Sequence, residues 1–69
     1  MIAAPVDVAY STLTGVEVLA RVEEYEPGMF RWSLLKAGEV VDYGAGFSDL
    51  EEAADAAVVA FDLFHALAS

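Results

Sequence analysis

Between Val16 and Phe47 apolar side chains recur at every second position, a pattern that fits strands and little else. Val16, Val18, Ala20 and Val22 form one set, Phe30, Trp32 and Leu34 a second, and Val41, Tyr43, Ala45 and Phe47 a third. Turn-forming residues separate the sets. In Glu26-Pro27-Gly28-Met29, proline presets φ at the first central position of a type II turn and glycine accepts positive φ at the second. Ala37-Gly38 suits a two-residue hairpin loop. With that loop, Trp32 falls opposite Tyr43, Phe30 opposite Ala45 and Leu34 opposite Val41, which gathers the aromatic rings on one face. The expectation is a three-stranded antiparallel meander. Val6 to Leu13, β-prone and closed by Thr14-Gly15, is a candidate fourth strand.

The pattern then changes. Ser48-Asp49-Leu50-Glu51 reads as a capping box, with the serine oxygen accepting from an amide in the first helical turn. A helix from Asp49 to about Ala68 is expected, long enough at about 1.5 Å per residue to lie along the sheet. On a helical wheel Leu50, Ala54, Ala57, Phe61, Phe64 and Ala68 share the stripe that should cover Trp32 and Tyr43. The sequence thus predicts one α+β domain over residues 1–69, with a meander sheet and one long C-terminal helix on one of its faces.

So short a chain builds a small core, and with no cysteine it has no disulfide to reinforce it. Hydrophobic residues make up 58% of the sequence, more than that core can hold, so apolar surface should remain exposed. A second helical stripe, Ala56, Val59, Ala60, Leu63 and Leu67, points away from the first. Within it Val59, Leu63 and Leu67 form the candidate apolar interface, for a homodimer or another protein. Leu19, Leu35 and Val40 line up on the opposite sheet face, where the N-terminal segment is the candidate cover.

Twelve acidic residues against Arg21, Arg31 and Lys36 give a formal charge of −9, which disfavours direct binding to nucleic acid or an anionic membrane. The expected partner is a cationic surface. The cations look committed: the register sets Glu23 opposite Arg31, Arg21 on a row with Asp42, and Lys36 beside Glu39 across the turn. The Glu26-Pro27-Gly28 turn and the helix start should share one pole, making Glu24, Glu26, Asp49, Glu51, Glu52 and Asp55 a partner-binding acidic cap.

Catalysis needs a base or nucleophile held against a partner, and one histidine with no cysteine offers no such pair, so an enzyme is not expected. His65 reads as a structural residue near the helix C-terminus, three positions after Asp62. The acids around Asp49 lack the glycine-containing loop that wraps calcium, so neither a metal nor another cofactor is expected. The apolar run from Ala53 to Ala68 contains Asp55, Asp62 and His65 and does not read as a membrane span. A cytoplasmic protein is expected.

The runs Phe30-Arg31-Trp32-Ser33-Leu34, Gly38 to Ser48 and Glu51-Glu52-Ala53 resemble strand-strand-helix modules found in bacterial and phage reading frames. In size, acidity and shape the whole chain is also similar to the small phage anti-CRISPR proteins. That resemblance implies a non-catalytic inhibitor in the host cytoplasm. It would block a basic, nucleic-acid-binding surface of a host protein, such as a CRISPR effector subunit, by mimicking the charge of DNA. The alternative is a small dimerisation or protein-interaction module with no nucleic-acid connection.

Overall fold

The computed structural model of the chain describes residues 4–68, with the side chain of Ala68 outside the description. Four strands, β1 (Val6–Leu13), β2 (Val16–Glu26), β3 (Met29–Lys36) and β4 (Glu39–Phe47), precede one helix, α1 (Leu50–Ala68). The strands form a single antiparallel sheet in the order β1-β2-β3-β4, so each pairs with its sequence neighbours and the candidate fourth strand is an edge. The fold is α+β, with α1 packed against all four strands.

The turns explain this path. Thr14-Gly15 and Ala37-Gly38 each have two consecutive residues at positive φ, the geometry that matches the twist of a tight hairpin. Gly28 supplies positive φ after Pro27, as a type II turn requires. At the helix start Asp49, not Ser48, is the N-cap: its Oδ1 accepts from the Glu51 amide at 3.0 Å and its carbonyl accepts from the Ala53 amide. The helix therefore begins one residue later than the capping-box reading places it.

The core lies between one sheet face and α1. Val18, Ala20 and Val22 of β2, Trp32 and Leu34 of β3, and Ala53 and Ala57 of α1 are buried, with Phe30, Phe47, Phe61 and Phe64 half-buried around them. Small residues on α1 let its backbone approach the sheet closely. The buried stripe is centred on Ala53 and Ala57, so Leu50, expected on it, is exposed at the helix end.

Two irregularities in β4 correct the expected register. Pairing starts as expected, with Lys36 opposite Glu39 and Leu35 opposite Val40, but Val41 is then an extra residue and Leu34 faces Asp42. Trp32 consequently lies opposite Gly44, and Tyr43 moves to the outer face, opposite Ser33 and 70% exposed. A one-residue slip exchanges the two faces of a strand, so Tyr43 is excluded from the core in which it was expected. Gly46, at φ 90°, is the second extra residue and brings Phe47 back opposite Phe30.

The same shift separates Arg21 from Asp42. Arg21 instead pairs with Asp7 of β1 at 2.8 Å on the outer face, and Arg31 pairs with Glu23 at 2.7 Å as expected while lying 5.6 Å from the Tyr25 ring. The outer face also carries a row across all four strands, Tyr10-Leu19-Leu35-Val40. The described part of the N-terminal segment, from residue 4, does not cover that row. It extends the sheet edge as β1, and Tyr10 and Val40 are exposed.

Candidate functional site

The path of α1 creates the most distinctive surface of the molecule. The helix starts just after Phe47, at the β4 edge, yet near its far end the His65 Nε2 lies 2.5 Å from the Ser11 hydroxyl of β1, at the opposite edge. It therefore crosses the sheet diagonally. His65 is fixed on both sides: Nδ1 donates to the Phe61 carbonyl at 2.9 Å, which leaves Nε2 to accept from Ser11. The expected Asp62 partnership is replaced by this cross-link to the sheet, which sequence spacing does not reveal because Ser11 lies 54 residues away.

A diagonal helix leaves one corner of the sheet bare. Between α1 and the hairpin end of β3 and β4 lies an open groove of about 660 Å³. Trp32, Leu34 and Val41 form its sheet wall, and Ala56, Val59, Ala60, Leu63, Phe64 and Leu67 its helix wall. Val59 is 58%, Leu63 56% and Leu67 86% exposed, so the large side chains of the second helical stripe remain unburied in the single chain, while its Ala56 and Ala60 pack against the core. Trp32, Leu34 and Val41 lie on the sheet face where they were expected, whereas Asp42 was not foreseen there: the bulge at Val41 sets it opposite Leu34, on the helix side. Asp42 and Asp55 supply the charged residues of the lining.

The acidic residues divide by role. Register places Glu24 on a row with Phe30 and Phe47, at the end of the sheet from which α1 departs, so the turn and the first helical turn share a pole as expected. Glu24 Oε2 accepts from the Gly28 amide at 2.8 Å and closes the turn, while Asp49 caps α1. Glu26, Glu51 and Glu52 are exposed at the same pole. Asp55 lies a turn further along and faces the groove.

On the outer face the Tyr10 hydroxyl donates to Glu17 at 3.1 Å, and that carboxylate holds the phenol above its ordinary pKa. A smaller depression of about 310 Å³ lies between the Glu23–Arg31 pair and Tyr43. Among the described residues no three metal-ligating side chains come together, and no helix is long and apolar enough to cross a membrane. Comparisons with family models, curated proteins and solved structures found no match for the chain.

Proposed function

We propose that the chain is a non-catalytic acidic binding protein that occupies a basic, nucleic-acid-binding surface of a host protein, as the small phage inhibitors of CRISPR effectors do. The observation that carries this reading is the pole formed by the β2–β3 turn and the start of α1. There Glu26, Glu51 and Glu52 are exposed together, while Arg21 and Arg31 are held in ion pairs on the outer face. A surface of one sign with few competing cations presents a phosphate-like potential.

The test is capture of a nucleic-acid-binding protein from a bacterial lysate, followed by charge reversal. Glu26→Lys with Glu52→Lys should weaken the complex at least about tenfold, salt should dissociate it, and a DNA duplex should compete. A complex indifferent to both the reversal and DNA overturns the reading. The groove favours the rival, a protein-interaction module without any nucleic-acid connection, and that module would lose its partner on Leu63→Glu instead.

A further inference from the structure

The groove beside α1 combines apolar walls from two layers with charge of one sign. Val59, Leu63 and Leu67 recur along the helix wall, facing Trp32, Leu34 and Val41. Asp42 comes from the sheet and Asp55 from the helix, so carboxylates flank the apolar floor on both sides. Among the described residues no cation contributes to this lining. Arg21 and Arg31 are paired with Asp7 and Glu23, and Lys36 lies at the tip of the β3–β4 hairpin.

These features select among occupants. A second copy would bring a further formal charge of −9 and a second pair of groove carboxylates into the same interface. Addition of a strand to β4 is hindered by the extra residues at Val41 and Gly46, which bend the edge and interrupt its row of hydrogen-bonding groups. The open space has one helical wall with apolar residues at four-residue spacing, and another helix laid alongside would complete that layer over the bare corner.

We infer that the groove receives a basic amphipathic helix of a partner protein, with apolar side chains against Val59, Leu63 and Trp32 and lysine or arginine beside Asp42 and Asp55. This inference rests on the reading of the chain as a binder of cationic proteins and adds the segment that such a partner presents. Charge steers the approach, and burial of Leu63 and its neighbours supplies the affinity.

Trp32 lines the groove but is already only 9% exposed, so occupancy is read from the anisotropy of a fluorophore on the probe peptide and not from the indole emission. The probe is an amidated peptide of leucine, alanine and lysine, about 14 residues or four helical turns long, with leucines on one face and lysines beside them. A matched peptide carries glutamate in place of lysine. The lysine peptide should give a saturable rise in anisotropy that weakens with salt, and the glutamate peptide none. Leu63→Glu, at an exposed position, should keep the far-ultraviolet spectrum of the parent and bind at least about tenfold more weakly. Asp42→Asn with Asp55→Asn should bind more weakly and with a flatter salt dependence. Glu26→Lys with Glu52→Lys should change peptide affinity by less than about threefold at physiological salt, so failure at the acidic pole and failure at the groove are told apart. Three results would overturn the inference: no rise in anisotropy with the lysine peptide, equal binding of the glutamate peptide, or a parent dimer that Leu63→Glu dissociates.

Discussion

The indole of Trp32 lies against the backbone of Gly44: a Cβ added at that glycine would stand 2.4 Å from the indole Nε1 and 2.8 Å from Cε2. The largest core side chain is thus seated over a gap in the row of side chains on β4. Gly44→Ala should destabilise by about 1–3 kcal/mol, because the ring is held by the packed core and has little room to retreat. Gly46→Ala meets open space but places alanine at φ 90°, so it should cost about 1–2 kcal/mol through backbone strain alone. Denaturant titration gives both values, and near-ultraviolet circular dichroism separates the causes. Only the Gly44 variant should alter the Trp32 bands.

The corrected register makes Leu34 and Tyr43 opposites in consequence. Leu34 is 1% exposed, and Leu34→Ala should cost about 2–5 kcal/mol, a large share of the stability of so small a domain. Tyr43→Ala should change stability by less than about 1 kcal/mol, since its ring lies on the outer face. Comparable losses at the two positions would restore Tyr43 to the core and contradict the bulge at Val41.

Ala37 occupies a positive-φ position, φ 54°, in the β3–β4 turn, where asparagine and glycine are favoured. Ala37→Asn should therefore stabilise by about 1 kcal/mol and raise the melting temperature by a few degrees. An unchanged or lower melting point would mean that the turn does not hold this conformation.

The Tyr10 phenol gives a pH signature of the β1–β2 hairpin. Its pKa is raised in the folded chain, first by the hydrogen bond to Glu17, so the folded state favours the protonated phenol. The associated stability is fully present below the unfolded pKa of tyrosine and is lost as pH rises through the higher folded value. Absorbance titration should show one phenol ionising late. Glu17→Gln should bring that transition back toward the ordinary value, and persistence of the late transition would assign it to another tyrosine.

Much of this architecture could be read from the chain, and the part that could not has a specific cause. Turn chemistry at Ala37-Gly38 fixed the pairing of Lys36 with Glu39 and of Leu35 with Val40. Beyond that point Val40, Val41, Tyr43 and Ala45 are all acceptable on either face, so strict alternation misassigned Tyr43. The available signal was Gly44 and Gly46, since glycine within a strand marks a bulge or a close approach, and here one residue does each. The helix wall of the groove, Val59, Leu63 and Leu67, was visible as an unused stripe. The place of Asp42 beside it depends on the β4 bulge, and the opening of the groove depends on the diagonal set by Ser11 and His65, a contact between distant segments that local periodicity does not encode.

The meander order of the strands also governs the sequence of events by which the chain becomes a protein. Each hairpin closes a short loop between neighbouring segments, a contact of low entropic cost and microsecond-scale formation. The sheet can therefore assemble progressively as synthesis delivers it. The helix follows the last strand, and the Ser11–His65 clasp waits for residues 54 positions apart. Until then Val18, Ala20, Val22 and Leu34 face water, and the nascent sheet passes through an interval in which its future core is an adhesive surface. During that interval the bends at Val8, Val41 and Gly46 already irregularise both edge strands, so the hairpins are poor templates for one another on crowded ribosomes.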